Sequence, residues 1–148
     1  MHVGCAVNGH VSCDPLLAYS DILAKSCIIK GANEYGLLVE NGANIQFINS
    51  QFTDASLANI WLDGAVDVNH DSLCGAQGCV IKDSTITSAI GSGNGVVINA
   101  GAGTNAFVDC DISHNSENGI VIAEHTKNNH LTGNSVFGNA RNGIEDNE

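Results

Sequence analysis

A chain of 148 residues is the size of one domain. Its 5 Lys and Arg stand against 16 Asp and Glu, a formal charge of −11, which argues against a nucleic-acid partner and against an anionic membrane surface, since nothing here neutralises a row of phosphates. No apolar stretch approaches membrane-spanning length, and Met1-His2-Val3-Gly4 opens without the basic region and apolar run of a secretory leader.

Residues 1–20, with Pro15-Leu16-Leu17, fit no regular pattern and are expected to form an irregular N-terminal cap or a degenerate coil. From residue 21 to 148 two kinds of segment alternate. One is apolar at its first and sixth positions and mostly small or polar at the fourth: Leu23 to Ile28, Phe47 to Phe52, Ile81 to Ile86, Phe107 to Ile112 and Leu131 to Val136. The other is a glycine or asparagine followed by three apolar residues: Gly36-Leu37-Leu38-Val39, Asn59-Ile60-Trp61-Leu62, Gly95-Val96-Val97-Ile98 and Gly119-Ile120-Val121-Ile122, beginning again at Gly143-Ile144. The starts of this second kind lie 23, 36, 24 and 24 residues apart. A period in this range marks a stacked array, in which one unit cannot bury its own apolar face and leans on its neighbours.

The segments are too short for helices, and their apolar positions alternate with period two. Val, Ile, Phe and Thr suit strands, whereas Gly, Asn, Ser and Asp supply corners. A coil of three short strands with tight turns needs about 22 to 25 residues at a rise of about 3.3 Å each. The expected fold is therefore all-β, a parallel solenoid of about five coils of roughly 24 residues. The column Ser26, Ser50, Ser84, Cys110 and Asn134 predicts a repeated tight corner where like side chains stack. The last coil stops abruptly at Gly143-Ile144-Glu145, which reads as a chain cut from something longer or an end covered by a partner.

The 36-residue interval carries about ten extra residues, expected as a loop insertion at 63–78. Solenoid insertions often lie on the binding side. This one holds Asp67, His70 and Asp71, which can gather around a divalent cation, the one cofactor the sequence suggests. Of the six cysteines, Cys27 and Cys110 fall inside the repeat columns and are expected to be buried and inert. Cys5 and Cys13 can pair near the N-terminus, and Cys74 with Cys79 can staple the insertion; zinc would want tighter pairs.

The pattern Ile/Leu-x-x-Asn/Ser-x-Ile followed by Asn-Gly-Ile-x-Ile, over roughly residues 20–148, resembles the right-handed parallel β-helix repeat of pectate-lyase-like enzymes, polysaccharide epimerases and phage tailspikes. The dense leucines of a leucine-rich repeat are absent, and a propeller needs longer units. The resemblance implies a carbohydrate-associated domain of a tailspike or fibre-type protein, a homotrimer on a virion tail or outside the cell, that binds a bacterial surface polysaccharide. The alternative it implies is a polysaccharide-degrading enzyme, a glycoside hydrolase or lyase.

Candidate residues follow from the register. With Leu37, Ile60, Val96, Ile120 and Ile144 inward, Leu38, Trp61, Val97, Val121 and Glu145 point outward as a ridge that needs cover, from another copy of the chain or from a sugar ring on Trp61. Glu40, Asp63 and Asn99 run beside it, with Glu124 one position beyond the matching Ala123, as the polar rim of a carbohydrate groove. Asp83 and Asp109 share a column in neighbouring coils, with Asp111 two residues on. Carboxyls stacked that closely raise one pKa, which splits a pair into acid and base, and sugar hydrolysis uses two carboxyls about 5 to 9.5 Å apart. Glu40 with Asp63 is a second such pair. The elimination chemistry of the pectate-lyase-like enzymes needs calcium-binding acids and a basic residue on the outer face, but Arg141, the only arginine, sits at the last corner. The Asp-Pro-His and Gly-His-Gly signatures of related enzymes are missing, Cys13-Asp14-Pro15 and Asn8-Gly9-His10 only approaching them. His114, His125 and His130 read as surface turn residues.

Overall fold

The computed structural model describes residues 2–3, 19–40, 42–66 and 72–147. Among them there is no helix; the chain winds as a parallel β-solenoid of about five coils. Three stacked sheets form its sides. Sheet I runs through His2–Val3, Tyr35–Val39, Ala58–Leu62, Asn94–Ile98, Ile120–Ile122 and Ile144–Asp146. Sheet II holds Leu23–Lys25, Gln46–Ile48, Val80–Lys82, Ala106–Val108 and His130–Thr132; sheet III holds Ile28–Lys30, Gln51–Thr53, Thr85–Thr87, Asp111–Ser113 and Ser135–Phe137. Tyr19–Ser20 pairs in parallel with Gly42–Ala43, beside a row of bridges that continues through Gln77, Gly103 and Lys127.

Side chains alternate across each strand, so parallel register stacks like on like. Sheet I aligns Leu37, Ile60, Val96, Ile120 and Ile144 inward, as the glycine segments predict, with Val39, Leu62, Ile98 and Ile122 in a second inward column. Sheet II contributes Ala24, Phe47, Ile81, Phe107 and Leu131, and sheet III contributes Ile29, Phe52, Ile86, Ile112 and Val136. Through the middle coils these residues are essentially inaccessible, and together they make one continuous core. Burying each aliphatic or aromatic side chain stabilises by about 1.5–3 kcal/mol, so the column is held chiefly by this contact between neighbouring coils.

The corners are equally regular. Asp21, Asn44, Gly78, Thr104 and Asn128 precede sheet II; Ser26, Asn49, Asp83, Asp109 and Gly133 separate sheets II and III; Gly31, Asp54, Ser88, His114 and Gly138 follow sheet III. All fifteen have a left-handed backbone, with φ between 49° and 71°. Asn, Asp and Gly tolerate that conformation best, which accounts for the polar residues at these positions. Just after each corner an inward residue ties adjacent coils together. Cys79 N donates to Asn105 Oδ1 at 3.0 Å, Ala89 N to Asn115 Oδ1 at 3.0 Å and Cys110 N to Asn134 Oδ1 at 2.9 Å. Asn59, fully buried at the entry to sheet I, accepts from Ala55 N at 3.2 Å and donates to Thr87 O at 2.8 Å and to Asn115 Oδ1 at 3.1 Å.

Three sequence expectations are corrected. In the first coil the inward residues are Ala24 and Ile29, not Leu23 and Ile28, which are 57% and 69% exposed. The inward corner residue there is accordingly Cys27, whose N–H donates to Ser50 Oγ at 3.2 Å, while Ser26 takes the left-handed position outside it. The insertion is not an open loop at its base: Gly64–Val66 and Ser72–Gly75 pair as an antiparallel hairpin with a bulge. Phe47 stacks on Ile81, 34 residues on, but Ile60 stacks on Val96, 36 residues on. The hairpin therefore supplies about ten extra residues, and two more fall in the turn at Gly91 and Ser92 between sheets III and I. The expected Cys74–Cys79 staple is also absent, because Cys79 is a free thiol facing the core. Residues 4–18, with Cys5 and Cys13, lie outside the described residues.

Candidate carbohydrate-binding ridge

Sheet I aligns Leu38, Trp61, Val97, Val121 and Glu145 on its outer side, the ridge the sequence predicts. Stacking leaves Leu38, Trp61 and Val121 half-buried and Val97 only 6% exposed. The ridge thus covers much of its own apolar surface. The strongly exposed large apolar residues are elsewhere: Leu23, Ile28, Leu57, Ile90, Phe137 and Ile144.

Tyr35, at the start of the strand below, brings its ring to 5.0 Å from the Trp61 ring, tilted by 53°. The pair forms an aromatic platform over the first two coils of sheet I, within the range of favourable ring contacts. The hydrogen-bond ladder continues past the ridge, with Asp63 N donating to Val39 O at 2.7 Å and Asn99 N to Leu62 O at 2.9 Å. It sets Glu40, Asp63 and Asn99 at successive coils. Asn99 Nδ2 donates to Asp63 Oδ1 at 2.7 Å, which fixes that carboxylate. Burial, and then the charges of Glu34, Asp63 and Glu40, raise the Tyr35 phenol above its ordinary pKa, so it is a neutral hydroxyl able to donate a hydrogen bond. The hairpin springs from the same place. Ala76 N donates to Asp63 O at 2.9 Å, and the close approach of Gly64 to the backbone of residues 100–102 leaves no room for a Cβ.

Trp61, Glu40, Asp63 and Asn99 are thus neighbours by register. Glu124 is exposed in the turn one coil beyond Asn99 and lies 3.7 Å from His125 Nε2. Tyr35 joins them only through its ring contact with Trp61. Its signal is an aromatic residue one position before Gly36, where the other glycine segments carry Ala58, Asn94, Asn118 and Asn142.

Asp83 and Asp109 stack in one corner column, both exposed and both left-handed. The Asp109 carboxylate leans into the space that a Cβ on Gly133 would occupy, so the corner above it is glycine. Asp111 lies on sheet III between Thr85 and Ser135, half-buried, with one carboxylate oxygen shielded and without a hydrogen-bond partner among the described residues. Asp67, His70 and Asp71 lie outside the described residues; among those described, no three His, Cys, Asp or Glu side chains gather as a metal site. Burial pushes the Cys79 thiol up to about 12 and raises that of Cys110, which makes both poor nucleophiles. Arg141 is bound at the last corner, its Nε 2.6 Å from Glu117 Oε2.

No protein-family model, curated protein or solved structure matches this chain.

Proposed function

We infer that this chain is a carbohydrate-associated solenoid of the pectate-lyase-like and tailspike kind, and that it binds a bacterial surface polysaccharide along the outer side of sheet I. The observation that carries this reading is the Tyr35–Trp61 platform beside the Asn99-anchored Asp63 and Glu40. Tilted aromatic rings offer apolar faces to the C–H face of a sugar, while a fixed carboxylate, an amide and a neutral phenol bond its hydroxyl or amino groups. A glycan chain laid parallel to the solenoid axis meets successive coils at intervals of about 4.8 Å. An acidic protein suits a neutral or amino-sugar glycan better than a polyuronate.

The tailspike resemblance further suggests a homotrimer on a virion tail or outside the cell. Self-shielding of the ridge weakens the case that a second copy is needed to cover it. Degradation by Asp83, Asp109 and Asp111 is the second reading. The left-handed corners already give Asp83 and Asp109 a backbone reason to be short and polar, as Asp or Asn, so binding ranks ahead of hydrolysis.

Screening the purified chain against bacterial surface glycans tests the proposal. We expect a glycan bound by the chain to lose at least about tenfold in affinity on Trp61→Ala and on Asp63→Asn, about 1.4 kcal/mol each. The absence of any bound glycan, or binding indifferent to both substitutions in folded protein, overturns it. Reducing ends released in the same screen, and lost on Asp83→Asn or Asp109→Asn, would favour the enzyme.

A further inference from the structure

The aromatic platform on sheet I stands in a field of one sign. Glu34 and Glu40 flank the strand Tyr35–Val39, Asp63 follows Ala58–Leu62, and the strands of sheet I hold no Lys or Arg. The five cationic side chains lie on other parts of the coil. Lys25 and Lys82 are on sheet II, and Lys30 is on sheet III, its Nζ 3.6 Å from Asp54 Oδ2. Lys127 continues the bridge row before sheet II, and Arg141 is held by Glu117. Burial raises the Tyr35 phenol most, and the charges of Glu34, Asp63 and Glu40 add to the shift, so all three carboxylates act on the edge of the platform. Val39 and Leu62 are register partners, so Glu40 and Asp63 stand one coil apart, their backbones about 4.8 Å from each other. Asp63 Oδ1 takes the 2.7 Å bond from Asn99 Nδ2, while Oδ2 accepts from no described residue. These acids do not close on a point: among the described residues no three gather as a metal site. Carboxylates that border an aromatic surface without converging suit a cation larger than a metal ion, one whose charge sits on an apolar body.

We propose that the ridge selects a glycan bearing free, protonated amino groups, a polymer of hexosamine units without their N-acetyl groups, and that Asp63 and Glu40 set this preference. The inference rests on the glycan-binding reading above and narrows it to a cationic ligand. The C–H face of the sugar ring stacks on Trp61 and Tyr35, and the ammonium donates charge-assisted hydrogen bonds to Asp63 and Glu40. Asn99 holds the Asp63 carboxylate in place for this contact. An N-acetyl group in the same position carries no charge. It offers an amide where the carboxylates call for a cation, and it forgoes the stronger bond.

Titration calorimetry of the full chain with a glucosamine hexasaccharide and with its fully N-acetylated counterpart tests this, at about pH 6, where ordinary carboxylates are ionised. The amino form is expected to bind at least about tenfold more tightly. Asp63→Asn keeps an oxygen for Asn99 to bond, and Glu40→Gln keeps the shape of the side chain; each should bring the two ligands to within about threefold of each other. Trp61→Ala should weaken both. Raising the salt from about 50 to about 300 mM should weaken the amino form alone. Equal affinities, or a preference that survives both amide variants, overturn the proposal. A neutral or N-acetylated glycan that binds through Trp61 while the amino form does not also overturns it, but leaves glycan binding standing. Failure of every glycan to bind removes both readings. An oligolysine that binds as tightly as the amino form, and is indifferent to Trp61→Ala, reduces the ridge to a general acidic surface and overturns the proposal.

Discussion

At the scale of single residues, backbone conformation explains polar side chains that sequence reading assigns to chemistry. Asp83 and Asp109 share their left-handed corner with Ser26, Asn49 and Gly133; His114, which the sequence reads as a surface turn residue, shares another with Gly31, Asp54, Ser88 and Gly138. A left-handed backbone costs an ordinary L-residue about 1–2 kcal/mol, and a branched Cβ is the worst tolerated. Asp109→Val should therefore destabilise the chain by about 1–2 kcal/mol. Asp109→Asn, which suits the same corner, should stay within about 0.5 kcal/mol. Urea denaturation measures both, and equal effects would show that conformation does not select the residue. Asn59 works by another rule. It is buried, so its three hydrogen bonds are what make an amide acceptable in the core.

At the scale of elements, most strands have three residues, too few to stand alone, and register with the coils above and below defines them. Phe52 lies between Ile29 and Ile86 in register, with its ring 5.4 Å from that of Phe47. Phe52→Ala should cost about 3–5 kcal/mol. Leu23→Ser and Ile28→Ser, on the outer side of the first coil, should each change stability by no more than about 0.5 kcal/mol. A reversal of that order in thermal or urea unfolding would return the first coil to the register read from sequence.

That contrast also shows what was legible. The glycine segments of sheet I were readable because each is a single apolar run after a small residue, so inward and outward positions could be counted. The first coil was not, because Ile22-Leu23-Ala24 and Cys27-Ile28-Ile29 are each three apolar residues in a row, and only pairing with Gln46–Ile48 and Gln51–Thr53 selects Ala24 and Ile29. The 36-residue interval announced extra chain but not its division between a hairpin and the turn at Gly91 and Ser92. Of the ridge, Trp61, Glu40, Asp63 and Asn99 followed from register. Tyr35 did not, because its contact with Trp61 joins residues that are not register partners: Tyr35 pairs with Ala58, and Trp61 with Leu38.

At the scale of the whole molecule, the fold is a one-dimensional stack, each coil bonded to its neighbours through sheets I, II and III. Every functional statement depends on that register: it places Trp61 between Leu38 and Val97, Asp63 beside Asn99, and Asp83 under Asp109. Side-chain contacts in solution test it most directly, by nuclear Overhauser spectroscopy on isotope-labelled protein. The expected cross-peaks join Trp61 ring protons to Tyr35 and to Val97 methyls, Val97 to Val121, and Phe52 through Ile86 to Ile112. Strong Hα–Hα cross-peaks between consecutive segments such as Val80–Lys82 and Thr85–Thr87, the mark of antiparallel hairpins along the chain, would contradict the stack and the binding ridge with it.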